Sequence, residues 1–182
     1  MNDYKNPWST ISEKKIYEND WIILNEHKVI NPNGNKGIYG KVSFKNKAIG
    51  IIPLDEHQHT WIVGQYRYTL DEFSWEIPMG GGPISIDILE SAKRELFEET
   101  GLIAKKWSQI LRIHTSNSVT DEEGFVFLAE ELIQSEPEFD DTEKIIVKRL
   151  PFREVYNMVM QNRITDSISI AGILRLGKTF GL

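Results

Sequence analysis

Between residues 20 and 80, apolar and aromatic residues come in short runs: DWIILNEHKVI, GIYGKVSF, AIGIIPLD, TWIVGQYRY and FSWEIP. Asn, Gly, Pro and Asp separate them. That punctuation predicts successive β-strands joined by tight turns. After the glycine run MGGGPIS, read as a loop, the periodicity lengthens: Ile88, Ala92 and Leu96 recur every fourth residue. Asp87 stands at the N-cap position with Glu90 three residues on, and Gly101 at the C′ position. The spacing predicts a helix of about four turns. Three further strands follow, in WSQILRIH, GFVFLAEEL and EKIIVKRLP, then two helices, FREVYNMVMQN and SISIAGILRLGKTF, the second capped by Asp166. Strands, helix, strands and helices in that order indicate an α+β or mixed α/β/α sandwich rather than a regular βαβ array.

With 182 residues, 40% of them hydrophobic, the chain suits one globular domain with a small appendage. The net charge of −6 offers no general attraction for nucleic acid or an anionic membrane. Cysteine is absent, so a metal site must use carboxylate, imidazole or carbonyl groups, and oxygen-rich sites favour Mg²⁺ or Mn²⁺. The N-terminus lacks the apolar stretch of a signal peptide. The longest apolar run, AIGIIPL, is too short to span a bilayer. A cytoplasmic location is expected. The four histidines, His27, His57, His59 and His114, show no metal-ligand spacing and read as ordinary surface or core residues.

Chemistry concentrates in AKRELFEETGL, residues 92–102. Glu95, Glu98 and Glu99 fall at i, i+3 and i+4 beside the apolar stripe, so the carboxylates can converge. Glu98 and Glu99 sit in the last turn, where the helix dipole already places negative charge. A solvated acidic face is the plain alternative. A hard divalent cation would convert the repulsion into a site, and Mg²⁺ commonly binds through one or two carboxylates plus substrate phosphates. Arg94 has the favourable i,i+4 order for an ion pair with Glu90. The glycine run before the helix can aim a backbone carbonyl at the same ion.

These residues resemble the Nudix hydrolase signature: Gly, five residues, Glu, seven residues, then Arg-Glu-hydrophobic-any-Glu-Glu-any-Gly-hydrophobic. Gly80 opens it and Arg94 through Leu102 closes it, while the first Glu of the pattern falls on Ile86. The resemblance extends to the ADP-ribose pyrophosphatase branch through WIILNEHKVINPNG, VGQYRYTLDEFSWEIPMGG, VTDEEGFVFLAEEL and NRITDSISIAGIL. It implies a Nudix α/β/α sandwich with a mixed sheet over residues 47–182. It also implies an antiparallel β-hairpin region over residues 1–46, used in dimerisation and in holding the substrate base. A homodimer is expected. Members specific for ADP-ribose often carry a Pro after the box, where this chain has Asn117.

Carried over by position, the resemblance makes Glu95, Glu98, Glu99 and the carbonyl of Met79 the metal ligands, with two or three Mg²⁺ ions expected and Mn²⁺ as an alternative. It assigns catalytic roles to Glu98, to Arg94, which orients a neighbouring glutamate, and to Glu143 as general base in the acidic loop SEPEFDDTEK, ahead of Asp141 and Glu138. Arg67 would contact phosphate or sugar, Glu76 the nucleotide, and Trp21 and Tyr39 would stack on the base. The implied reaction is metal-dependent hydrolysis of the pyrophosphate of a nucleoside diphosphate sugar, ADP-ribose or a hexose conjugate such as GDP-mannose, to nucleoside monophosphate and sugar phosphate. The rival from another class is a non-catalytic Nudix-like sensor of a nucleotide sugar, which would have no need of all three glutamates.

Overall fold

The structure, a computed structural model, describes residues 5–135 and 145–182. The chain forms two units, Met1–Asn46 with Ser116–Glu122, and Lys47–Thr115 with Glu123–Leu182.

The first unit holds a three-stranded antiparallel sheet, β1 (Ser9–Glu18), β2 (Ile22–Ile30) and β3 (Lys36–Phe44), in that order. β1 escaped the sequence pattern, which begins its strands at residue 20. Register shifts fall between Thr10 and Ser12 and between Lys15 and Tyr17, so Ile11 and Ile16 are the extra residues of two bulges. A bulge breaks the two-residue alternation that marks a strand in sequence. The turn from β2 to β3 follows its residues directly: the Asn31 side chain accepts from the amides of Asn33 and Asn35, and Gly34 takes φ +82°. Ser116–Glu122 joins this sheet through main-chain bonds, Val42 N donating to Val119 O (2.9 Å) and Asp121 N to Val42 O.

In the second unit β4 (Asn46–Pro53), β7 (Met79–Pro83), β8 (Leu102–His114) and β9 (Glu123–Gln134) form a mixed sheet in the order β7-β4-β9-β8. β4 and β9 run parallel, β8 and β9 antiparallel. β5 (His59–Arg67), β6 (Glu72–Glu76) and β10 (Ile146–Pro151) form an antiparallel sheet in the order β10-β5-β6. Strands buried on both faces read as continuous apolar runs, and AIGIIP of β4 does so. Ile49 and Ile51 point to one side, where they pack with Ala92 and Leu96 of α1 (Ile88–Thr100) and with Phe125 and Phe127. Ile52 and Val126 face the other, packing with Phe152 and Val155 of α2 (Phe152–Met160) and Ile168 and Ile173 of α3 (Ser167–Thr179). A mixed sheet covered by α1 on one face and by α2 and α3 on the other is the α/β/α sandwich expected from the order of elements.

The glycine run is not a loop. Met79–Pro83 is strand β7 at the edge of the mixed sheet. The strand is glycine-rich because its neighbours come close: a Cβ on Gly82 would stand 2.6 Å from Ile49 Cδ1. The turn from β4 to β5 is closed by Asp55, whose carboxylate accepts from the amides of His57 and His59 and pairs with Arg149 of β10. Among the described residues no helix is long and apolar enough to cross a membrane.

Candidate active site

α1 is fixed at both ends as its sequence dictates. Asp87 Oδ1 accepts from Leu89 N (2.9 Å) and Glu90 N (3.3 Å). Gly101 closes the helix in the left-handed region at φ 69°, its N–H returning to Phe97 O. Held this way, the helix turns its acidic face toward β7, and Glu95 and Glu99 are both buried there. Met79 N donates to Glu99 Oε2 at 3.0 Å. Glu95 lies against Gly80, where a Cβ would stand 2.1 Å from its Cδ and 2.2 Å from Oε2. Only a residue without a side chain admits the carboxylate at that point. Ile86, where the signature has Glu, is exposed in the turn before the helix, its N–H donating to Pro83 O.

Arg94 does not pair with Glu90, as its spacing suggested. Glu90 is taken by Lys93 at 2.7 Å. The Arg94 guanidinium instead reaches Glu98 Oε2 (2.6 Å), Glu95 Oε1 and the carbonyl of Gly81 (3.2 Å). Glu98 follows Arg94 by four residues, so the same i,i+4 rule allowed both partners. The strand carbonyl favours the C-terminal one. Glu95 and Glu98 thus converge on a guanidinium, and Glu99 on a main-chain N–H. Among the described residues no three acidic or histidine side chains are already gathered about one point, which differs from the convergence expected from helix spacing alone. The donors nonetheless suit a hard divalent cation: three carboxylates, all oxygen ligands, one of them in a cradle that a Cβ on Gly80 would fill.

Arg67, at the end of β5, forms a two-pronged ion pair with Glu76, at the end of β6, with Nε 3.0 Å from Oε1 and Nη2 on Oε2. Glu76 is buried while Arg67 is about one-third exposed. The fork geometry also suits phosphate and carboxylate groups.

The structure separates Trp21 from Tyr39. Trp21 lies in the β1–β2 turn, opposite Lys45, whereas Tyr39 faces His27 further along the same ladder. Lys45 follows Tyr39 by six residue steps of extended chain, about 20 Å at the usual rise. Within one chain the two rings cannot clasp one base. The ring beside Tyr39 is that of Trp8, edge-on at a centroid separation of 5.6 Å. Sequence reasoning passed over Trp8, and nothing local in NPWST marks it. Asn117 lines a cavity with Trp8 and Tyr39. Glu143, Asp141 and Glu138 lie outside the described residues.

Residues 45–167 match the NUDIX domain, and residues 8–42 the nucleoside diphosphate sugar hydrolase N-terminal domain. The chain is 30% identical over 175 residues to an ADP-ribose pyrophosphatase of Mycobacterium tuberculosis, covering 92% of this chain and 82% of that protein. It is 30% identical over 160 residues to an ADP-ribose pyrophosphatase of Bacillus subtilis, covering 87% and 86%. A crystal structure of an ADP compounds hydrolase superposes with a TM-score of 0.86 at 14% identity, covering 99% of this chain and 97% of that one. With the signature helix set against its glycine strand and the domain match spanning most of the sequence, the chain belongs to the Nudix family of hydrolases.

Proposed function

We propose that the protein is a pyrophosphatase that hydrolyses nucleoside diphosphate sugars, ADP-ribose or a hexose conjugate such as GDP-mannose, to nucleoside monophosphate and sugar phosphate, with Mg²⁺ as its metal. One observation carries the reading. Two buried carboxylates, Glu95 and Glu99, are set against a glycine strand, with Glu98 beside them on an arginine. Such a concentration of negative charge at the negative end of a helix opposes stability, and a polyanionic substrate would be repelled by it without a counter-ion.

Glu95, Glu98, Glu99 and the Met79 carbonyl would hold the metal, two or three ions being expected; Mn²⁺ is the alternative. Bound there, a divalent ion supplies charge neutralisation at the diphosphate and lowers the pKa of water. Arg94 orients the first two carboxylates, since it bonds both and is itself tied to the Gly81 carbonyl. Glu99 fixes the main chain of Met79 through its N–H. Arg67, about one-third exposed, contacts a phosphate or sugar oxygen of the substrate, and buried Glu76 holds its guanidinium in place. Glu143 is our assignment for the general base. The N-terminal region, residues 1–46, serves dimerisation and the substrate base. Its edge strand β1 is exposed along its whole length and shows Ile11, Ile16 and Tyr17 to solvent.

The test is incubation with Mg²⁺ and a panel of ADP-ribose, GDP-mannose, UDP-glucose, NADH, diadenosine polyphosphates and dGTP, with products resolved by chromatography. Release of a nucleoside monophosphate and a sugar phosphate from the sugar nucleotides is expected. Hydrolysis confined to dGTP or to the dinucleotides overturns the substrate class, and binding without any product overturns the hydrolytic reading in favour of a sensor.

A further inference from the structure

Ile77 and Pro78 carry the chain from Glu76, at the end of β6, to Met79, at the start of β7, and so from the antiparallel sheet to the mixed one. This short crossing joins two parts of the candidate site, both in the second unit. Before it, Glu76 holds the Arg67 guanidinium. After it, Met79 leads into Gly80, against which the Glu95 carboxylate lies. Slack in the crossing would therefore change the spacing between the arginine and the acidic helix.

The crossing is held by groups distant in sequence. Pro78 has no N–H and a fixed φ, and it confines Ile77 before it to extended backbone. The Pro78 carbonyl accepts from Ile51 N of β4 at 2.8 Å. The N–H groups of Ile77 and Met79 both donate to helix side chains: Met79 N to Glu99 Oε2 of α1, and Ile77 N to Ser169 Oγ of α3, each at 3.0 Å. α1 and α3 cover opposite faces of the mixed sheet, so the crossing is clamped from both sides. Glu99 belongs to the acidic helix. Ser169, 92 residues beyond Ile77, has no other place in the site.

The position of Ser169 is otherwise an apolar one. It shares the buried stripe of α3 with Gly172, Ile173 and Leu176 and is itself wholly buried. A hydroxyl there is costly unless it is bonded. The first turn of α3 is already capped by Asp166, whose Oδ2 accepts from Ser169 N at 2.7 Å, so the cap does not need the hydroxyl. Close packing fixes the helix against the crossing: Ile77 Cδ1 and Ile168 Cγ2 would each stand 2.8 Å from a Cβ on Gly50 of β4.

We infer that Ser169 is a positioning residue of the active site. By accepting from Ile77 N it sets where the chain enters β7, and with it the spacing between the Arg67–Glu76 pair and the carboxylates of α1. That role rests on the function proposed above, in which the Met79 carbonyl and Glu99 serve the metal. Buried behind the crossing, Ser169 acts through Ile77 and Met79 and not by contact with substrate.

Ser169→Ala removes the acceptor and keeps a good helix former. Ile173→Val trims the same face of α3 one turn further on and leaves the Ile77 bond intact, so it is the control for stability alone. Ser169→Cys keeps the shape with a weaker acceptor and takes the place of Ser169→Ala should that variant not fold. The first measurement is amide hydrogen exchange by NMR on the full chain without metal. The Met79 N–H should exchange about fivefold faster in Ser169→Ala, the equivalent of one net hydrogen bond, although its own acceptor Glu99 is untouched. The second is Mn²⁺ affinity without substrate, read from the paramagnetic resonance of the free ion. It should fall about tenfold, as is usual for loss of a group that supports a metal ligand. Ile173→Val should match the parent in both. Parent-like exchange at Met79 or parent-like Mn²⁺ affinity in Ser169→Ala overturns the inference, as does an equal change in Ile173→Val. If the parent itself binds no Mn²⁺, the metal reading of the site fails, and exchange at Met79 decides the role of Ser169 by itself.

Discussion

The carboxylate of Glu95 occupies the space that a side chain on Gly80 would fill, with Cδ 2.1 Å from the Cβ position. Gly80→Ala therefore has to push Glu95 off the strand or open the gap between β7 and α1. We expect kcat/KM to fall about 10²-fold, the usual consequence of moving a catalytic group by about 1 Å, together with weaker Mg²⁺ dependence. A steady-state assay across Mg²⁺ concentrations, with a thermal melt to confirm folding, checks it.

Glu98→Gln and Glu99→Gln keep the shape of their side chains and remove the charge. Glutamine at 99 can still accept from Met79 N, so the strand anchor survives and the circular dichroism spectrum should be unchanged. Changes merely around a metal ligand commonly bring a loss of about 10–100-fold, and we expect at least that from the ligands themselves. Full Mg²⁺-dependent turnover by both variants, on every sugar nucleotide the parent cleaves, would falsify the proposed mechanism.

How much of this was legible in the sequence depends on range. Asp87, Gly101 and Asp166 cap their helices as their positions indicate, with Asp166 accepting from Ser169 N at 2.7 Å. These are contacts within one turn. The glycine run gave no strand signal because alternation is a property of side chains, and three of the five residues of β7 have none. The choice of Arg94 between Glu90 and Glu98 was decided by a strand carbonyl distant in sequence. Trp8 beside Tyr39 rests on a sheet register that two bulges in β1 shift.

The Arg67–Glu76 pair predicts a stability change separable from catalysis. Removing one partner of a buried pair usually costs about 3–5 kcal/mol. Arg67 is about one-third exposed, so we expect a smaller cost than that, about 2–3 kcal/mol, for Arg67→Ala. For a chain of this length that is a fall in Tm of about 5–10 °C. Arg67→Lys should recover part of it, lacking the fork. Differential scanning calorimetry is the measurement, and an unchanged Tm would refute the structural role.

Asp55 predicts an acid-side dependence. Burial, its largest single influence, raises the carboxyl, but the N–H groups of His59 and His57 and the Arg149 guanidinium together lower it below the ordinary value. A folded pKa below the unfolded one means that the charged group stabilises the fold above the unfolded value, about 3.9. That contribution is lost as pH falls through the folded value. The Tm difference between parent and Asp55→Asn should be full at neutral pH and shrink below about pH 4. A difference that does not vary with pH would sink the argument.

The edge strand β1 predicts the assembly. Ile11, Ile16 and Tyr17 are each about half exposed, an unusual exposure for an edge strand. In solution the parent should scatter light at twice the mass of one chain. Ile11→Asp combined with Ile16→Asp should scatter at the mass of one. A parent that is monomeric at micromolar concentration would rule out the dimer.

Ser116–Glu122 folds with the first unit although the residues on both sides of it belong to the second. The first unit is thus completed only after residues 47–115 of the second have been made, since the Tyr39 hydroxyl has no Ser118 carbonyl to meet until residue 118 is present. Neither unit corresponds to one uninterrupted piece of gene. A cut after Asn46 would part β3 from Val119, the main-chain partner of Val42.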